Sequence, residues 1–340
     1  MTRRHVSDSG CSASDRLTPS TNVCTDVHVG VKWPENGGYP HWCETCRMPM
    51  FESDDLSINY HITGFGPRVL FFNGSGATLQ STELLIRSLS KECEVLAHDQ
   101  RGLGLTSIPE GPYTMAQYAS DAAALLDHVG WKTCSVVGIS FGGMVAQEFA
   151  VTFPDRVERL ALLCTSTGGA GGSSYPLHEL GALSADERAS KMVTLSDARF
   201  TPEWLASHPA DAQMMNMRAE QAAKTKAADV IRGERLQLAA RAAHDVVNRL
   251  HVITCPTFVT AGKFDGIAPP VNSEAIIDRI SDATMSLYEG GHMFVAQDPT
   301  AIREIRTNRS EDALFNQDYV TWLMTEGAAF IAPSPSAQAA

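Results

Sequence analysis

Gly138-Ile139-Ser140-Phe141-Gly142 narrows the possible folds more than any other stretch of this chain. The preceding Cys134-Ser135-Val136-Val137 has the apolar run of a buried strand, and residues 143–150 have the pattern of a helix. A serine between glycines at the point where a strand becomes a helix is a nucleophile elbow. The sharp turn strains the serine backbone, and the small flanking residues let that backbone pass close to its neighbours. The hydroxyl is left at the carboxyl edge of a sheet. The helix that follows aims its N-terminus at the same point and favours negative charge there.

The elbow sits in a longer alternation. Regular structure is expected to begin near Leu56, where residues 56–62 alternate as a half-buried strand, stopped by Gly64-Phe65-Gly66-Pro67. Val69-Leu70-Phe71-Phe72 is a continuous apolar run, as in a strand covered on both faces. A helix over 83–89, a strand at 95–97 and an amphipathic helix over 115–129 follow. After the elbow comes a strand at 160–163. Repeated strand–helix alternation predicts an α/β fold with a mostly parallel sheet wrapped by helices. The alternation breaks at Gly168-Gly169-Ala170-Gly171-Gly172. Four helical stretches, 185–195, 203–206, 211–226 and 228–244, follow with no strand between them. They predict an inserted helical cap over 168–250. Strands resume at 257–260 and 285–288, and a last helix is expected over 313–326. The expected organisation is a leader (1–50), a core in two parts (51–167 and 251–330) split by the cap, and a tail (331–340).

The chain has 340 residues, enough for one large domain with an insertion, and its 44% hydrophobic content supplies a core without covalent staples. A formal net charge of −12 argues against nucleic-acid partners, which need Lys and Arg to neutralise phosphates. No apolar run is long enough to span a bilayer. The basic N-terminus has no apolar segment behind it, so a secretory signal is not expected and a cytoplasmic location is the default.

Of the eight cysteines, Cys93, Cys134, Cys164 and Cys255 lie in or beside apolar runs and are expected to be buried free thiols. Cys11, Cys24, Cys43 and Cys46 fall in the leader, which is read as partly disordered. Cys43 and Cys46 form a single C-x-x-C without the second pair of a structural zinc site, so no metal is expected there.

A serine hydroxyl becomes a useful nucleophile when a base takes its proton and a third group orients the base. Asp265 follows the strand at 257–260, within Gly262-Lys263-Phe264-Asp265-Gly266. His292 follows the strand at 285–288, after Gly290-Gly291. Both therefore lie at the carboxyl ends of strands, where ligand chemistry collects in parallel sheets. The segment Cys164-Thr165-Ser166-Thr167 offers no competing acid. A developing oxyanion needs donors, and the expected ones are the N–H of Phe141 and the N–H of Ser75 in Asn73-Gly74-Ser75-Gly76. Gly74, Met144 and Met293 flank these groups and are expected to face substrate. His98 is read as a structural histidine. Met192, Met214, Met215 and Met217 either line a cavity or pack helices.

From residue 51 to residue 300 the chain resembles the α/β-hydrolase superfamily, in its capped esterase and enol-lactonase-like branch. The elbow, the ordered Ser140, Asp265 and His292, and the Asp99-to-Ser107 loop carry the resemblance. Many members have His-Gly where this chain has Asn73-Gly74. Serine at the nucleophile position disfavours the dehalogenase and epoxide hydrolase branches, which place aspartate there. The resemblance implies a cofactor-free serine hydrolase acting on a small or medium carboxylic ester or lactone. The same three residues would also serve an acyltransferase, a perhydrolase or a carbon–carbon hydrolase. A hydrolase-fold ligand receptor with slow turnover is the reading from a different class.

Overall fold

A computed structural model describes residues 49–301, except 54 and 299. The leader cysteines and the helix expected over 313–326 lie outside the described residues. Eight strands make one sheet: β1 (Met50–Glu52), β2 (Ser57–Thr63), β3 (Arg68–Phe72), β4 (Glu94–His98), β5 (Cys134–Ile139), β6 (Val157–Leu163), β7 (Thr257–Gly262) and β8 (Ala283–Tyr288). Their spatial order is β1-β2-β4-β3-β5-β6-β7-β8. β2 is antiparallel to β1 and to β4, and every pairing from β4 onward is parallel.

Both faces of the sheet are covered, and the period-two alternation of strand side chains divides the core in two. Leu70 and Phe72 of β3, Val136 of β5 and Leu160 and Leu162 of β6 face α2 (Met115–His128) and α3 (Phe141–Thr152). Val69 and Phe71, Val137 and Leu163 face the other way, toward α1 (Glu83–Leu89) and α9 (Phe294–Gln297). α2 starts where Thr114 and Gln117 form a reciprocal capping box, and it stops before Gly130, whose φ of 71° suits the left-handed turn beyond a helix. Its Tyr118, Ala119, Ala122, Leu125 and Leu126 form the buried stripe.

Between β6 and β7 there are only helices and 3-10 turns: α4 (Ala185–Ser196), α5 (Pro202–Ser207), α6 (Pro209–Ala223) and α7 (Ala228–Ala242) carry the segment. Its ends close on each other, since Gly168 and Asp245 form an antiparallel bridge. α8 (Pro270–Ile277) then packs beside β7 and β8. Among the described residues, regular structure thus starts at Met50 rather than at Leu56. β1 is a three-residue edge strand, too short to show a period.

Two histidines are buried deeply enough for desolvation to prevail, with no opposing charge at His98 and with Glu148 and Asp245 opposing it only in part at His244. Burial pushes the imidazoles of His98 and His244 down to about 4. Their unfolded-state value lies near 6.5, so the unfolded chain takes up protons first as pH falls. The stability linked to these groups is therefore complete above pH 6.5 and is lost as pH drops toward 4, by about 3 kcal/mol for each histidine. The urea midpoint should fall steeply between pH 7 and pH 4.5, and His98→Gln with His244→Gln should flatten that slope. An unchanged slope in the double variant would assign the acid sensitivity to other groups.

Candidate active site

The parallel register brings the carboxyl ends of the central strands into line. Phe72 pairs with Gly138, Ile139 with Leu163, Leu163 with Thr260, and Gly262 with Tyr288. The residues just beyond these ends are Asn73 to Gly76, Ser140, Cys164, Asp265 and His292. Ser140 and His292, 152 positions apart in sequence, therefore meet along one edge.

Ser140 occupies a backbone conformation rare for a side-chain-bearing residue, with φ 55° and ψ −115°. Its N–H donates to Leu163 O at 2.8 Å, and its carbonyl accepts from Thr165 Oγ1 at 2.8 Å. The flanking glycines are required by contact. A Cβ on Gly138 would overlap the Gly142 carbonyl, and one on Gly142 would overlap the Phe72 carbonyl of β3. His292 Nε2 lies 2.9 Å from Ser140 Oγ, and His292 Nδ1 lies 2.7 Å from Asp265 Oδ2. A carboxylate accepts and does not donate, so Nδ1 carries the imidazole proton and Nε2 is left to accept from the hydroxyl. The other Asp265 oxygen accepts from the N–H groups of Ile267 (2.7 Å) and Ala268 (2.8 Å). Asp265 is only 4% exposed, so its geometry is held by the fold rather than by water.

The loop after β3 lies against the same point. A Cβ built on Gly74 would sit 3.8 Å from Ser140 Cβ. Gln100 Nε2 donates to Asn73 O at 2.8 Å, and Gly76 N–H donates to Gln237 Oε1 of α7 at 2.8 Å. The Asn73 side chain is buried without a protein partner for either polar atom, and so is the Ser75 hydroxyl. Phe141 is the first residue of α3, so its N–H has no partner within the helix. Met144 is buried in the core among Phe141 and Val145, whereas Met293, just after His292, is half-buried.

Residues 67–299 match the family described as alpha/beta hydrolase fold. The chain belongs to that family. Over 265 residues it is 28% identical to a poly(3-hydroxyalkanoate) depolymerase of Ectopseudomonas oleovorans, covering 75% of this chain and 89% of the relative. It is 26% identical over 263 residues to 3-oxoadipate enol-lactonase 2 of Acinetobacter baylyi, covering 75% and 95%. The crystal structure of an enol-lactonase from Burkholderia xenovorans superposes with a TM-score of 0.63 at 22% identity, covering 76% of this chain and 97% of that one.

In this α/β-hydrolase chain the inserted segment also braces the site, which the sequence reading does not anticipate. The last residues of α4 accept from both loops. Leu195 O accepts from Gly266 N–H at 3.1 Å, and Ser196 O accepts from His292 N–H at 2.6 Å. Gly291 is needed because a Cβ there would overlap Ser196 O. Gln297 joins the brace by accepting from Gly291 N–H and donating to Asp197. Burial pushes the Asp197 carboxyl up, but hydrogen bonds from Arg199 and Gln297 outweigh it and hold it below the usual range. The Arg199 guanidinium lies over the rings of Trp204 and Phe264, fastening α5 to the residue before Asp265. Among the described residues, the one grouping of three metal-ligand side chains is Cys164 with Asp265 and His292 themselves. Burial pushes the Cys164 thiol well up, so it stays protonated beside the imidazole. Cys93 and Cys134 are buried free thiols as expected, and Cys255 is half-buried.

Proposed function

We propose that this protein is a serine hydrolase of a small or medium carboxylic ester or lactone, with Ser140 as nucleophile, His292 as base and Asp265 as the group that orients the base. The single observation that supports this most is the unbroken line of contacts from Ser140 Oγ through the His292 ring to Asp265, at 2.9 and 2.7 Å. The named activities of the relatives agree with it: one depolymerises a poly(3-hydroxyalkanoate), chemically a polyester, and the other is an enol-lactonase.

In this reading His292 Nε2 takes the hydroxyl proton as Ser140 Oγ bonds to the carbonyl carbon. Asp265 stabilises the imidazolium and keeps its proton on Nδ1 directed at the carboxylate. The N–H groups of Phe141 and Ser75 receive the carbonyl oxygen as it becomes an oxyanion, each donor contributing about 100- to 1,000-fold in turnover. The tetrahedral species collapses, the carbonyl–alkoxide bond breaks, and the Nε2 proton passes to the leaving oxygen. Water then gives a proton to the same nitrogen as its oxygen attacks the acyl carbon, the acyl–Oγ bond breaks, and the Nε2 proton returns to Ser140 Oγ as the acid leaves. The helices between β6 and β7 act as a cap that shapes the acyl and alcohol sites.

A fluorophosphonate probe should label the intact protein once, on the peptide that contains Ser140, and labelling should abolish turnover of 4-nitrophenyl esters. A panel of graded acyl length should then show an optimum that sizes the site. Labelling elsewhere, with esterase activity retained, would overturn the assignment. Competing alcohol and peroxide acceptors in the same assay separate hydrolysis from acyl transfer by product.

A further inference from the structure

One face of α7 packs on the loops that follow β4 and β3. Gly233, Gln237 and Arg241 recur every four residues on it. Gly233 seats the helix, since a Cβ there would overlap the Gly102 carbonyl. One turn on, Gln237 is 1% exposed, and its Oε1 accepts from Gly76 N–H beside the proposed oxyanion donor Ser75. Its Nε2 is buried with no protein partner.

A further turn on, Arg241 is 5% exposed. Its Nη1 donates to Tyr175 O at 2.8 Å and its Nη2 to Ser174 Oγ at 2.7 Å, both uncharged groups. Its Nε is buried without a partner, and among the described residues no carboxylate pairs with it. Desolvation brings this guanidinium down to about 10, so it remains a cation at neutral pH. Its surroundings connect to the other side of the site. Tyr175 N–H donates to Ile267 O, and Ile267 N–H donates to Asp265. The face thus bridges the oxyanion loop and the loop that carries the acid.

A buried cation without a counter-charge is costly, and a buried donor left unpaired adds to the cost. An anionic ligand between these two loops would relieve both. Resting on the hydrolase reading, we infer that Arg241 and Gln237 form the subsite for a carboxylate carried by the substrate, so that the preferred ester or lactone is an acidic one.

The test compares 4-nitrophenyl hemiglutarate with 4-nitrophenyl pentanoate, and 3-carboxyphenyl butyrate with phenyl butyrate, which place the carboxylate on the acyl and on the alcohol side. The wild-type protein should prefer the acidic member of at least one pair in kcat/KM. Arg241→Gln should lower kcat/KM for that acidic ester by about 50-fold, the loss expected when a buried charge partner is removed. The neutral partner should stay within about threefold, and Arg241→Lys should restore part of the preference. Equal losses on both members, or turnover of both members without an acidic preference in the wild type, would overturn the inference and leave Arg241 as a brace for Ser174 and Tyr175. Should Arg241→Gln fail to fold, Ser140→Ala with Arg241 intact still decides. It should bind glutarate by calorimetry and not glutaramide, and equal binding or no binding would refute the subsite. If no ester of either kind is turned over while glutarate binds, the hydrolase reading fails and the anion subsite stands.

Discussion

Ser140→Ala is expected to lower kcat for 4-nitrophenyl butyrate by about 10⁶-fold while leaving the protein folded. In the proposed mechanism the loss is large because the hydroxyl, the imidazole and the carboxylate act as a unit, and removal of the nucleophile leaves the other two without a reaction to assist. Residual turnover of about 10³–10⁴ over water would come from the oxyanion donors and from substrate binding. The fold survives because what fixes residue 140 is its main chain: its N–H to Leu163 O, and its carbonyl to Thr165 Oγ1 and Gly143 N–H. Alanine keeps all three, and it faces the same positive φ of 55° that serine does. Steady-state assays paired with thermal melts check both halves. Turnover within tenfold of wild type, with an unchanged melt, would remove Ser140 from the chemistry.

How much of this site is readable without coordinates depends on whether each residue acts through its neighbours in sequence or through distant contacts. β3 and β5, and β6 from Leu160 onward, are largely buried on both faces, so they read as apolar runs and stand out. The elbow is readable because its pattern is contiguous in sequence, although only Gly138 answers to a near neighbour, the Gly142 carbonyl, while Gly142 answers to Phe72 of β3. α4 announces itself through Ser184 and Glu187, which form a capping box in the structure. β1, with three residues, and α9, with four, are too short for any period to show. α8 hides for another reason: Pro270-Val271-Asn272-Ser273-Glu274-Ala275-Ile276-Ile277 mixes buried Asn272 and Ser273 with exposed Val271, so polarity does not follow burial. The brace from Leu195 and Ser196 acts through backbone carbonyls, which leave no mark on residue type, and Gln297 joins it through an amide whose partners, Gly291 and Asp197, only the fold brings near. Gln237 and Arg241 look in sequence like ordinary polar positions of a surface helix, and only packing on Gly102 and Gly76 turns that face inward. For Met144 and Met293 the residue type is the same and the surroundings differ, one inside the core and one half-buried beside His292.

Asp265→Asn should lower kcat by about 10⁴-fold with little change in stability, and the reason lies in how the two carboxylate oxygens are used. Oδ1 holds the local turn through Ile267 and Ala268 N–H, whereas Oδ2 alone faces His292 Nδ1. An asparagine that keeps its oxygen on the turn presents its NH₂ to Nδ1. Two donors then face each other unless the imidazole moves its proton to Nε2, and that tautomer offers Ser140 a donor where it needs an acceptor. Asp265→Ala removes both functions. It should match the loss in kcat and also lower the melting temperature, because two buried N–H groups lose their acceptor at about 1–3 kcal/mol each. The pair of variants therefore separates a turn-forming aspartate from one that orients a base. Equal stability loss in both with activity kept within tenfold in Asp265→Asn would make the residue a turn former only. A 10⁴-fold loss in Asp265→Asn at an unchanged melting temperature is the pattern that orientation of the base requires.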